Sequence, residues 1–185
     1  MSGTRSGCAR RRARPDDELV RRPMRSAATE LLARAVLARL TSRGETLATA
    51  ESLTGGLIGE LLTDVPGASV SYLGGVIAYA TRLKATLAGV PDALLATDGP
   101  VAQSTARAMA FGIAARCASD WGLAVTGVAG PDSQDGHRPG EVYVALVRPA
   151  REVIILERHD LAGDRAAIRQ QTAEIALQLL ADALE

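Results

Sequence analysis

The sequence predicts an α/β protein with a mostly parallel sheet and one antiparallel hairpin. Short runs rich in Val, Leu, Ile and Ala alternate with longer stretches of helical spacing, the pattern of successive βαβ units. Two runs near the C-terminus, 142–147 and 153–156, lie close enough to form a hairpin through Pro149, Ala150 and Arg151. Aromatic residues make up only 3% of a chain that is 47% hydrophobic, so the core must be built from Ala, Leu, Val and Ile. That composition suits helices packed on a sheet.

Leu31, Leu32, Ala35, Val36 and Leu40 follow helical spacing over 27–43, and Gly44 supplies the stop. Thr46–Ala50 is a short strand running into Ser52, and 53–62 reads as a helix. Residues 70–79 form a β-rich run with Gly74 and Gly75 in its middle, the mark of a bulge or a close backbone approach. Leu83–Leu87 is helical. Gly99 and Pro100 punctuate the start of a long Ala-rich helix over 101–118, Leu123–Thr126 is a buried strand, and a last helix runs over 164–184.

Charge narrows the function classes. The 21 basic and 21 acidic residues cancel, but residues 1–26 carry eight Arg against Asp16, Asp17 and Glu18, which leaves the remainder acidic. A body that neutralised phosphates along a polynucleotide would carry the opposite sign, so nucleic acid is not expected as a partner except through the basic arm. Residues 1–25 read as a disordered arm, too poor in apolar side chains to offset the entropy of ordering, and 26–185 as the folded domain. No apolar run approaches the ~18 residues of a membrane span, and the basic start lacks the apolar stretch of a secretory signal. Cys8 and Cys117 make no disulfide framework. No membrane partner and a cytoplasmic location are the expectations.

Chemistry concentrates in four segments. TAESLTGG at 49–56 brings a strand to Glu51 and Ser52, with two glycines before a helix. Such a turn exposes a serine hydroxyl beside unpaired backbone N–H groups, an oxyanion or anion site, although Ser52 or Thr54 could equally be a plain helix cap. Lys84 is the only lysine among 21 basic residues. Arg stays protonated, whereas a desolvated Lys can act as a base, so Lys84 is a candidate base for a serine nucleophile. Tyr79, five residues upstream, could bond a substrate or relay a proton. TGVAGP at 126–131 follows an apolar strand and would share a sheet edge with Ser52, while lacking the G-x-G-x-x-G spacing of a dinucleotide site. In AGDRAAIRQQ at 162–171, Arg165 and Arg169 stand four apart on one helical face, suited to a phosphate or carboxylate. His137 and His159 lack zinc-type spacing and read as structural or solvent-facing, and the 132–139 stretch as a solvated segment or lid.

Taken together, TAESLTGG, TGVAGP and GDR at these separations, with GGVIAY before Lys84 and RPGEVYVAL at 138–146, make the chain from about Ala27 to Glu185 resemble the CinA C-terminal domain family. That family includes stand-alone nicotinamide-nucleotide amidases. The resemblance implies a three-layer α/β/α sandwich, a homodimer, and deamidation of nicotinamide mononucleotide to nicotinic acid mononucleotide and ammonia without a cofactor or metal. It implies a catalytic Ser52, Lys84 and Tyr79. Glu51, Thr54, Gly55, Gly56, Thr126, Gly127, Gly130, Arg165 and Arg169 are the implied substrate-binding positions. Two segments depart from the family pattern. Asp98-Gly99-Pro100-Val101-Ala102 replaces His-Gly-Ala-Val-Ser at what reads as a helix cap. Arg138-Pro139-Gly140-Glu141-Val142 replaces Pro-Val-Gly-Thr-Val at a possible pocket edge. The family's N-terminal domain does not fit in 26 residues, so its pyrophosphatase activity is expected to be absent. The alternatives to an amidase are a catalytically weak nucleotide-binding domain and an interaction domain associated with competence or DNA damage.

Overall fold

Helix α1 spans Ala27–Arg43 and buries Thr29, Ala33, Val36, Leu37 and Leu40. This is the i, i+4, i+7, i+8 stripe of a helix lying on a core. The expected face was rotated too far: Leu31 is 66% exposed, while Ala33 and Leu37 are packed. The structure is a computed structural model whose described residues are 27–185. The Arg-rich arm over 1–25, and Cys8 within it, lie outside them.

The elements that follow are β1 (Leu47–Glu51), α2 (Leu57–Thr63), β2 (Tyr72–Ile77), α3 (Thr81–Thr86), α4 (Asp92–Asp98), α5 (Gln103–Cys117), β3 (Trp121–Gly127), β4 (Glu141–Arg148), β5 (Val153–Asp160) and α6 (Arg165–Ala183). Helix α4, not anticipated from the sequence, has no fully buried residue and so no apolar stripe to announce it. Helix α2 starts at Leu57 rather than Leu53, because Gly55 and Gly56 take φ of +61° and +96° and hold the preceding residues in a turn.

The five strands form one sheet in the order β2-β1-β3-β4-β5. β1 pairs parallel with β2 and β3, whereas β4 runs antiparallel to both β3 and β5. The β4/β5 hairpin turns through a single 3₁₀ turn at Pro149–Arg151, as the spacing predicts.

Both faces of the sheet are covered, giving the three-layer sandwich. On one face, Leu47, Leu123, Val125, Val142, Val144 and Leu146 pack against α1, α2 and α6. On the other, Ala48, Ala50, Ala124, Ala145 and Val147 meet α5, chiefly Ala106, Met109, Ala110 and Ile113. Alanines on both partners let this helix lie close to the strands. Close packing also explains Gly112 in mid-helix, where a Cβ would run into the Ala88 backbone. Gly112→Ala is therefore expected to cost about 1–3 kcal/mol in chemical denaturation, the usual range for overpacking.

The glycine pair in β2 shows both features read from it. The pairing with β1 skips Leu73, giving an irregularity between Leu47 and Ala48. At Gly75 any Cβ would collide with the Thr49 side chain and carbonyl. At the opposite end of the sheet, buried Glu45 accepts from Trp121 Nε1 at 2.7 Å and from Arg148. Arg148 also stacks over the Trp121 ring.

Among the described residues no helix is long and apolar enough to cross a membrane. The strand order places the carboxyl ends of β1, β2 and β3 side by side, with the chain leaving β1 toward one neighbour and entering the other from the opposite face. Such a reversal opens a crevice above the strand ends.

Candidate functional site

Ser52 is the first residue past β1, and its position is set by the sheet. Its N–H donates to Val125 O at 3.1 Å, and the Ala78 N–H donates to Glu51 O at 2.7 Å. The turn then closes through the Gly55 N–H to the Ser52 carbonyl at 3.1 Å.

Lys84 enters from α3 and is only 2% exposed. Its Nζ lies 2.6 Å from Ser52 Oγ and donates to the Ala78 carbonyl at 3.3 Å. Among the described residues it has no ion-pair partner to offset its burial. Desolvation alone lowers its pKa from 10.5 to about 8. A hydroxyl beside an amine that sheds its proton at such a pH has the make-up of a nucleophile and its base.

A cleft of about 270 Å³ opens over this pair. Of the residues singled out in the sequence, Ser52, Lys84, Tyr79, Gly127, Gly130 and Arg165 line it. Arg165 stands at the start of α6, where Asp164 caps the helix by accepting from the Ala167 N–H at 2.8 Å. The Arg165 guanidinium spans the opening. It donates to the Gly130 carbonyl and to the Tyr79 hydroxyl, each at 2.8 Å. Tyr79 is 58% exposed, its hydroxyl at the rim rather than at the Ser52–Lys84 pair.

The remaining predicted positions lie behind the cleft wall. Thr126 is fully buried and donates from Oγ1 to the Pro100 carbonyl at 2.7 Å, bracing the loop before α5. Arg169 points its guanidinium at the Thr54 carbonyl, with Nε at 3.2 Å and Nη2 at 2.6 Å. Glu51 is 2% exposed. Its Oε2 accepts from Thr54 Oγ1 at 2.7 Å, Gly56 N at 3.0 Å and Ile58 N at 3.1 Å, and its Oε1 from Gly59 N at 2.8 Å. Glu51, Thr54, Gly55, Gly56, Thr126 and Arg169 are thus framework around the cleft in this structure, and none of them lines it.

The backbone donors are narrowed in the same way. The Gly55 and Gly56 N–H groups are spent on Ser52 and Glu51. Those of Leu53 and Thr54 make no hydrogen bond with any described residue.

Asp132 and Gln134, in the stretch that reads as a solvated segment or lid, line the cleft. Their direct succession to Gly130-Pro131 was the available signal. The two departures from the family pattern exchange places. Pro100 and Val101 line the cleft, whereas 138–142 does not. His137 and His159 pair with Glu141 and Glu157 at 2.9 and 2.8 Å, in keeping with structural roles. Among the described residues no group of three or more His, Cys, Asp or Glu side chains is placed to hold a metal.

The model of the CinA C-terminal domain family matches residues 29–184. A CinA-like protein of Frankia casuarinae is 41% identical over 184 residues, covering 93% of this chain and 42% of that protein. A CinA-like protein of an Anaeromyxobacter species is 46% identical over 158 residues, covering 85% and 38%. The chain therefore spans about two fifths of the length of these curated relatives. Among solved structures, the competence/damage inducible protein CihA of Agrobacterium tumefaciens superposes with a TM-score of 0.83 at 32% identity, covering 88% of this chain and 99% of that one. A CinA superfamily protein of Klebsiella pneumoniae gives 0.80 at 29%, covering 84% and 97%. With the family model matched over nearly all the described residues and the same fold in these relatives, the chain belongs to the CinA C-terminal domain family.

Proposed function

We propose that this domain is an amidohydrolase that converts nicotinamide mononucleotide to nicotinic acid mononucleotide and ammonia. The observation that carries the reading is the buried Lys84 amine 2.6 Å from Ser52 Oγ on the wall of an open cleft. A solvated lysine would stay charged and do no base chemistry at neutral pH.

In the proposed reaction neutral Lys84 takes the Ser52 proton as Oγ attacks the carboxamide carbon. The free N–H of Leu53, which lines the cleft beside Ser52, receives the negative charge on oxygen. As the tetrahedral species collapses, Lys84 returns the proton to nitrogen and ammonia leaves. Water, deprotonated by the same amine, then hydrolyses the ester and releases the acid. Tyr79 and Arg165 stand at the rim, where a nucleotide phosphate would meet the guanidinium. The test is ammonia release from nicotinamide mononucleotide by the purified chain. Binding of the nucleotide without release would leave a binding domain in place of an enzyme.

Arg165→Ala should raise KM several-fold for the nucleotide and much less for nicotinamide riboside, which lacks the phosphate. Steady-state kinetics on both substrates check this. Equal losses on the two would move the phosphate elsewhere. No such split is expected at Arg169, which holds Thr54 and does not line the cleft.

A further inference from the structure

We infer that Glu51 and Arg169 are positioning residues that act through Thr54, holding the 52–56 turn in the one conformation that leaves the Leu53 N–H, on the cleft wall, free to receive an oxyanion. The inference rests on the amidase reading for its natural substrate but not for its test.

The turn has a structural problem that these two residues solve. Gly55 and Gly56 leave it without Cβ restraint and with φ values open to many alternatives. A glycine turn of that kind does not hold donors at a fixed point by itself. Here it is held from both sides. Buried Glu51 gathers the Thr54 hydroxyl and the backbone N–H groups of Gly56, Ile58 and Gly59. From α6, Arg169 takes the Thr54 carbonyl with two nitrogens, and its Nη2 is what a Cβ on Gly55 would meet, at 3.6 Å. Thr54 is thus held at both hydroxyl and carbonyl, and its residue is fully buried. The 54–55 peptide is fixed as a consequence, and its Gly55 N–H in turn holds the Ser52 carbonyl at 3.1 Å, fixing the 52–53 peptide that carries the Leu53 N–H. The N–H groups of Gly55, Gly56, Ile58 and Gly59 are consumed by the scaffold, and the Leu53 N–H, directly after Ser52, is left on the cleft wall. A donor that is already oriented stabilises developing charge without reorganising, which is where such donors gain their effect.

Glu51 also follows Ala50 on β1, so the strand that delivers the hydroxyl delivers the anchor for the donors as well. Arg169 adds a tie to α6, one helical turn from Arg165 at the cleft mouth. Neither side chain touches the space where a substrate would sit.

The experiment uses diisopropyl fluorophosphate, which needs no knowledge of the natural substrate. Ser52 Oγ forms a bond to phosphorus, fluoride leaves, and the hydroxyl proton passes to Lys84. The phosphoryl oxygen then takes the oxyanion position. Labelling of Ser52 is followed by mass spectrometry in the native chain and in Glu51→Gln, Thr54→Val and Val147→Ala. The glutamine places an NH₂ group among N–H donors, and the valine exchanges the hydroxyl for a methyl. Val147→Ala trims a buried side chain paired with Gly122, at the end of the sheet away from Ser52, and controls for stability. Labelling should slow by about tenfold or more in Glu51→Gln and Thr54→Val, with the pH midpoint unchanged from the native value and Val147→Ala at the native rate. Native rates in both turn variants would overturn the inference, as would an equal slowing in the control. A native chain that takes the label and releases no ammonia fails as an amidase while the positioning stands. If it releases ammonia and takes no label, the same variants are read in ammonia kinetics. There kcat should fall about tenfold or more with KM unchanged, and an unchanged kcat overturns the inference. Neither label nor ammonia overturns both.

Discussion

Replacing Ser52 by alanine should abolish ammonia release from nicotinamide mononucleotide and leave nucleotide binding within a few-fold of the native chain. The hydroxyl is the atom that forms the covalent bond, so its loss falls on the transition state and scarcely on the ground state. Ser52 is 7% exposed and the change removes one oxygen, so little packing is lost with it. The fold should persist, because what fixes the residue is backbone, through its N–H to Val125 and its carbonyl to Gly55. A rapid-quench ammonia assay with calorimetric titration of the nucleotide reads both quantities. Native turnover in the alanine variant would remove Ser52 as nucleophile.

Lys84→Arg should be nearly as damaging as Lys84→Met, each losing about 10²–10⁴-fold in kcat. Arg keeps the charge and cannot give up its proton, so a base is lost in both. Were Lys84 an anchor for an anionic group, Arg would restore much of the activity. The pH profile supplies an independent reading. With its pKa brought down to about 8 by burial, the amine is mostly neutral only above that pH. Activity should therefore rise as pH increases through about 8 and level off beyond it.

Stability carries the matching signature. Between about 8 and 10.5 the unfolded chain holds a proton on this lysine that the native chain has released, so stability rises with pH across that window. Below it the native state bears the full cost of a buried ammonium, about 3 kcal/mol for a drop from 10.5 to about 8. Lys84→Met, which removes the charge, should be more stable than the native chain at pH 7 by up to about that amount, while losing activity. Denaturation at pH 7 and pH 10 checks this, since the advantage must shrink as pH rises. An equal advantage at both pH values would remove the buried charge as its source.

Much of this molecule was legible in order along the chain. Local spacing and composition identified α1, α5 and α6, the hairpin at Pro149–Arg151 and the close approach at Gly75, because each depends on residues a few positions apart or on the absence of one side chain. The unique lysine and the serine before two glycines could be singled out for the same reason. Thirty-two positions separate them, and only the parallel pairing of β1 with β2, followed by α3, brings Nζ within 2.6 Å of Oγ. Strand order, the burial that lowers the lysine's pKa, and the division of the predicted residues between cleft and scaffold were settled by packing. Glu51 and Arg169 are expected among the substrate contacts by resemblance, and in sequence a charged residue beside a motif looks the same whether it faces a ligand or the backbone. Which of the two it faces depends on contacts across 115 residues of chain, such as Arg169 to Thr54, and no local pattern encodes those.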